Sequence, residues 1–137
     1  FAESISWLST QMRELYNLDV AVQTEESFRL SDEDLRVLLF QIVRELLFNV
    51  VKHAETDRAT VELEDADDHM VIRVSDEGRG FDVEAAKPKA KADSVGLFGV
   101  AERLKLFGGR MEIDSAPGQG TRITLHTPPE GGQALLQ

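Results

Sequence analysis

The sequence predicts an α+β fold, a two-layer α/β sandwich in which three helices cover one face of a mixed, mostly antiparallel five-stranded sheet. Three observations predict it. Apolar residues recur at helical spacing in three stretches, they alternate with period two in the short stretches between, and no internal repeat interrupts the order α-β-α-β-β-α-β-β. That order does not make repeated β-α-β units, so the helices collect on one side of the sheet.

Along residues 3–16, Ile5, Leu8, Met12 and Leu15 recur at helical spacing, and Asn17 is the stop. Residues 18–23 read as a strand with Val20 and Val22 on one face, followed by a polar turn over 24–27. Ser31, with Asp34 three residues on, predicts an N-cap and first-turn acid for a helix reaching His53. Its apolar face is Leu35, Leu38, Leu39, Ile42, Val43, Leu46, Leu47 and Val50. The period then changes: Ala59, Val61 and Leu63 face one way, and Met70, Ile72 and Val74 answer after a turn at 65–68, as in a β-hairpin. Two glycines break the pattern over 76–80, and the polar, alanine-containing stretch 82–93 with Pro88 reads as a mobile loop. Helical spacing returns over 96–107 through Leu97, Val100, Ala101, Leu104 and Phe107, ended by Gly108-Gly109. Two strands, 111–115 and 121–127, close the order around the turn Pro117-Gly118-Gln119-Gly120. The organisation expected is a helix over 1–17 leading in from an upstream region, one domain over 18–128 and a frayed tail over 129–137.

At 137 residues, with 42% of them hydrophobic, the chain can fill one continuous core. Its 15 Lys and Arg stand against 25 Asp and Glu, and the net charge of −10 repels nucleic acid and anionic lipid alike. A nucleotide stays open as a ligand, because a small anion responds to the local field of its pocket and to a bound cation. The absence of cysteine excludes disulfides, thiolate metal sites and a cysteine nucleophile. Apolar runs such as 37–40 and 46–51 are too short to span a bilayer, and no signal peptide opens the sequence. A cytoplasmic location is expected, with room upstream of Phe1 for a membrane anchor in the parent protein.

Three groups of residues carry chemistry. Glu45, Asn49 and Lys52 interrupt the apolar face of the long helix at spacings of four and three, which places them in one row. Taken alone, three such polar residues read first as the solvated stripe of an amphipathic helix; as chemistry the row offers a carboxylate base or water ligand, an amide oxygen for Mg2+ and a counter-charge for phosphate. Asp76-Glu77-Gly78-Arg79-Gly80-Phe81 follows a strand directly. Its glycines allow close backbone approach, and an aspartate there can accept from an exocyclic amine such as that of adenine. Gly96-Leu97-Phe98-Gly99 opens a helix after the loop, turning free N–H groups toward a cavity. No Gly-Lys-Ser/Thr follows, and no strand feeds a complete glycine triplet, so neither a Walker loop nor a dinucleotide fingerprint fits.

Taken in order, Glu45-x-x-x-Asn49-x-x-Lys52-His53-Ala54, Asp76-x-Gly78-x-Gly80-Phe81, Gly96-Leu97-x-Gly99-Val100-x-Glu102-Arg103 and Gly118-x-Gly120-Thr121 resemble the N box, the two glycine boxes and the closing Gly-Thr of histidine kinases. The resemblance runs over about residues 31–127. Val51-Lys52-His53-Ala54 and Ala101-Glu102-Arg103-Leu104 are similar to the nitrate-sensor and membrane-fluidity-sensor branch. It implies the Bergerat (GHKL-type) ATP-binding fold, with ATP and Mg2+ as cofactors. By the same resemblance Asn49 is the metal ligand, Glu45 the catalytic acid or base, and Lys52 a phosphate contact. Asp76 reads the adenine amine with Thr121 behind it through water, and Gly78 and Gly80 shape the base pocket. Gly96, Leu97 and Gly99 lie at the phosphates and His53 on the ribose side. For His53, Arg79 and Arg103 a structural role reads equally well. The second glycine box departs from the family pattern, since Ser94-Val95-Gly96 holds only the later glycine, and no phenylalanine box lies between Phe81 and Gly96.

The implied function is the catalytic domain of a two-component sensor histidine kinase. It would position Mg-ATP for γ-phosphoryl transfer to a histidine on a dimerisation domain absent from this chain, with a homodimeric parent and a response regulator downstream. None of the three histidines, His53, His69 and His126, follows a basic amphipathic helix of the acceptor kind. Two alternatives share the fold: a serine kinase of the anti-sigma type and a nucleotide-binding regulatory module without catalysis. The stretch 82–95, carrying Lys87, Lys89 and Lys91, is expected to be an ATP lid.

Overall fold

A computed structural model describes residues 1–86 and 97–128. The helices are α1 (Ala2–Tyr16), α2 (Glu33–His53), the single turn α3 (Val83–Ala86) and α4 (Leu97–Leu106); the strands are β1 (Asp19–Thr24), β2 (Arg58–Asp65), β3 (Met70–Asp76), β4 (Arg110–Ser115) and β5 (Thr121–His126). They form one five-stranded sheet in the order β1-β2-β3-β5-β4. Only β1 and β2 run parallel, joined by α2 as the crossover; every other pair is antiparallel. The α+β sandwich expected from the alternation of periods is the fold observed.

The strand register aligns the apolar residues of all five strands into rows. Val22, Val61, Val74, Ile123 and Ile113 stand side by side, and Leu63, Ile72, Leu125 and Met111 form the next row. Onto these rows α2 lays Leu35, Leu38, Leu39, Ile42, Val43, Leu46, Leu47 and Val50, all buried, while α1 adds Ile5, Leu8 and Met12 and α4 adds Val100 and Leu104. Burying a Leu or Ile side chain contributes about 1.5–3 kcal/mol, so this seam holds helices to sheet. The opposite face carries paired charges, including Arg73 Nη1 to Glu64 Oε2 at 2.7 Å.

Three details differ from the sequence reading. Leu15 is exposed, because α1 ends just beyond it. Asn17, at φ 57°, turns the chain inward, and Leu18 is the residue buried there. The cap of α2 is Asp32 rather than Ser31: its side chain accepts from the Leu35 N–H at 3.0 Å, and the helix starts one residue later than expected. Within the loop read as mobile, Val83–Ala86 forms a helical turn whose N–H groups at Glu84 and Ala85 donate to Asp82. The rest of the expected lid, and the tail over 129–137, lie outside the described residues.

Candidate functional site

The last turns of α2, the start of α4 and the adjoining ends of β3 and β5 enclose a cavity of about 360 Å3. Its size and its mainly apolar wall suit a small organic ligand. From α2 come Leu46, Asn49, Val50 and His53, spaced i, i+3, i+4 and i+7 on one side of the helix; from the sheet come Val74, Asp76, Thr121 and Ile123; Leu97 stands at the start of α4. Arg79, Gly80 and Phe81 close the rim.

Asp76 and Thr121 are cross-strand partners, the last residue of β3 and the first of β5. The Gly78 N–H donates to Asp76 Oδ1 at 2.8 Å, which fixes the carboxyl group. Burial pushes the Asp76 pKa above the ordinary carboxylate value, while the Gly78 bond pulls it down. Asp76 is thus a half-buried acceptor beside an apolar wall, suited to a neutral N–H donor of a flat heterocycle.

The glycines hold three backbone segments in contact around this acceptor. A Cβ on Gly78 would stand 2.1 Å from the carbonyl oxygen of Ala54, the C-cap of α2, and the Arg79 N–H donates to that same oxygen at 2.8 Å. Gly80 has φ +62°, and a Cβ there would stand 2.1 Å from the Ala116 carbonyl oxygen. The Gly118 N–H then donates to the Arg79 carbonyl. These close approaches tie the end of α2 and the turns at 76–80 and 116–120 into one support. Ser115, at a strand end, completes it: its Oγ accepts from the Phe81 N–H at 3.0 Å, donates to the Gly120 carbonyl at 2.9 Å and lies 2.9 Å from Thr121 Oγ1. The sequence reading missed Ser115, and it missed Leu46, Val50, Val74 and Ile123 as cavity wall, since their periodicity is that of ordinary core.

The predicted site residues divide. Asn49, His53, Asp76, Gly80, Leu97 and Thr121 meet at the cavity, and Gly78 braces it from behind. Glu45 does not line it; its carboxylate pairs with the Arg103 guanidinium of α4, in a shallow pocket with Gln41, Arg44 and Phe48. Lys52 is exposed, its Nζ 6.0 Å from the Phe48 ring centroid. Gly99 lies within α4 away from the wall, and Gly96 is outside the described residues. Arg79 approaches Glu55 at 3.8 Å. Among the described residues no three His, Cys, Asp or Glu side chains converge to hold a metal. An ion near Asn49 would therefore take one amide oxygen from the protein and the rest of its shell from phosphates and water, a coordination that suits Mg2+.

Fold and site together define a nucleotide-binding domain of the α+β sandwich class. Residues 34–131 match the family described as histidine kinase-, DNA gyrase B- and HSP90-like ATPases. The chain belongs to that family, as an ATP-binding domain of the sensor histidine kinase type. It is 41% identical over 92 residues to the signal transduction histidine-protein kinase/phosphatase DegS of Bacillus subtilis, covering 67% of this chain and 24% of that protein. It is 33% identical over 118 residues to the oxygen sensor histidine kinase NreB of Staphylococcus carnosus, covering 86% of this chain and 33% of that protein. The chain thus spans about a quarter to a third of these relatives. The histidine kinase domain of the blue-light activated histidine kinase from Erythrobacter litoralis EL346 superposes with a TM-score of 0.71 at 19% identity, covering 98% of this chain and 63% of that one, and shares the fold. Among the described residues no helix is long and apolar enough to cross a membrane.

Proposed function

We propose that this domain holds Mg-ATP for transfer of the γ-phosphoryl group to a histidine on a separate dimerisation domain of a homodimeric parent, which then serves a response regulator. The observation that carries the reading is the pairing of Asp76 with an apolar wall at one end of the cavity and Asn49 on α2. The base stacks against the wall and donates its amine to Asp76, while the phosphates run past Asn49 and the start of α4, where Mg2+, when bound, screens their charge. Transfer of this kind depends on positioning and charge stabilisation, so the domain supplies the oriented donor and the partner helix the nucleophile. The names of the relatives favour a histidine acceptor over a serine one. The boundaries 18–128 and a cytoplasmic location belong to the same reading.

Isothermal titration of the folded protein with ATP, ADP and GTP, each with and without Mg2+, tests it. Saturable binding of the adenine nucleotides, with GTP at least about tenfold weaker, is expected from one charge-assisted hydrogen bond. No heat at millimolar ATP would refute the assignment.

A further inference from the structure

At the end of the sheet away from the cavity, β5 finishes at His126, whose register partners are Val71 and Arg110. Five residues of strand separate this end from the Asp76–Thr121 pair, about 17 Å at the rise of a β-strand. His69, in the turn before β3, meets His126: Nε2 of His69 lies 3.0 Å from Nδ1 of His126, with ring centroids 5.2 Å apart.

Each ring gives its other nitrogen to a carboxylate. His69 Nδ1 lies 2.6 Å from Asp68 Oδ1, and His126 Nε2 contacts Glu112 Oε1. An ionised carboxylate only accepts, so each outer ring nitrogen carries an N–H, and when both rings are neutral the inner nitrogens face each other as lone pairs. Two lone pairs at that distance repel unless a cation lies between them. A proton fills such a gap, and so does a metal ion. Two imidazole nitrogens, each about 2.0–2.1 Å from a tetrahedral ion, stand roughly 3.4 Å apart, close to the separation here.

The residues that follow the two histidines are clamped together. Met70 N–H donates to Thr127 Oγ1 at 2.9 Å, and Thr127 N–H donates to the Met70 carbonyl at 3.0 Å, with Thr127 buried. The rings are thus held near the geometry a metal needs, and their side chains are 21% and 13% exposed, open enough for an ion and its water.

We propose that His69 and His126 form a two-imidazole site for a divalent transition-metal ion of the zinc class, bound through Nε2 of His69 and Nδ1 of His126. Imidazole nitrogen selects Zn2+, Ni2+ and Cu2+ over Mg2+, so this site does not compete for the ion that accompanies the nucleotide. Asp68 and Glu112 fix the tautomers and ring orientations from behind, the arrangement that strengthens histidine ligands in metal sites. No third His, Cys, Asp or Glu converges on the point among the described residues, so water completes the shell and the affinity is micromolar rather than nanomolar. A bound ion staples the β2–β3 turn to the end of β5.

Zn2+ titrated into chelator-treated, nucleotide-free protein is the test, followed by calorimetry and by long-range 1H–15N spectra of the histidine rings. One equivalent of Zn2+ should bind at micromolar concentration, shifting Nε2 of His69 and Nδ1 of His126 while leaving Nδ1 of His69 and Nε2 of His126 protonated. The Kd should rise about tenfold or more in His69→Gln and in His126→Gln, rise less in Glu112→Gln, stay the same in His53→Gln, and resist millimolar Mg2+. Absence of saturation below millimolar Zn2+, an unchanged Kd in the double variant His69→Gln/His126→Gln, or ring shifts confined to other nitrogens would each overturn the proposal. The spectra use the unaltered protein, so a variant that fails to fold leaves the test intact.

Discussion

Gly78→Ala places a methyl group where the structure has no room for one. The added Cβ would stand 2.1 Å from the Ala54 carbonyl oxygen and 2.8 Å from the Ala54 Cβ, so the turn must move away from the end of α2. Overpacking of this kind costs about 1–3 kcal/mol, and loss of the Arg79 N–H bond to Ala54 adds about 0.5–1.5 kcal/mol. The sum, roughly 2–4 kcal/mol, is a large part of the 5–15 kcal/mol typical of a domain, yet leaves it folded in water. In urea the midpoint should fall by about 1–2.5 M with the slope unchanged. Nucleotide affinity should fall with it, because the Gly78 N–H that orients Asp76 moves with the turn. Gly118→Ala is the control: nothing lies within 4 Å of its added Cβ, but its φ of +78° costs a side chain about 1–2 kcal/mol. It should lower stability less and leave affinity near wild type. A Gly78→Ala protein with wild-type midpoint and wild-type affinity, or one no worse than Gly118→Ala on both measures, would refute the close-approach argument.

Asp76→Asn should weaken ATP binding about tenfold or more and reduce the preference over GTP, as competition titrations can measure. The same variant should be more stable than wild type at neutral pH. Folding raises the Asp76 pKa, so the ionised group is penalised in the fold; its relative stabilisation is complete below the ordinary value of 3.8 and lost as pH rises through the higher folded value. Urea midpoints of the two proteins should converge in acid and separate above that window. Ser115→Ala removes the acceptor of the Phe81 N–H and the partner of Thr121, and should cost about 1–3 kcal/mol by the same assay, with weaker nucleotide binding.

The fold was legible where the hydrophobic period was long and unambiguous. All eight residues assigned to the buried face of α2 are buried, because a 21-residue helix repeats its pattern often enough to fix its phase. At helix ends the pattern runs out: Ser31 and Asp32 are both good caps, and only the geometry of the entering chain decides that Asp32 accepts the Leu35 N–H. The ATP-binding role was legible from the ordered boxes, but the shape of the cavity was not. Val74 and Ile123 alternate like any core residues, and nothing in a sequence tells a residue that faces a cavity from one that faces another side chain.

Glu45 is where the row on α2 and the cavity part company, and helix geometry gives the reason. At about 100° per residue, Asn49 lies about 40° around the helix from Glu45, and His53 about 80°, whereas Lys52 lies about 20° the other way. Asn49 and His53 therefore turn toward Leu46 and Val50 at the cavity, and Glu45 turns outward to Arg103 on α4. A carboxylate in that position can meet a nucleophile arriving from a partner helix without touching the bound base. Binding and chemistry should then separate on mutation. Asn49→Ala should remove the Mg2+ dependence of nucleotide affinity, since the protein's amide oxygen is lost. Glu45→Gln keeps the shape, so the ATP Kd should change by less than about threefold, while losing a general base slows transfer about 100- to 10,000-fold unless another group substitutes. The measurement is radiolabelled phosphoryl transfer at saturating ATP to the native acceptor helix supplied as a separate dimer. Equal rates for wild type and Glu45→Gln would return Glu45 to an ion-pairing role on the surface of α2, and would place the base on the acceptor side of the reaction.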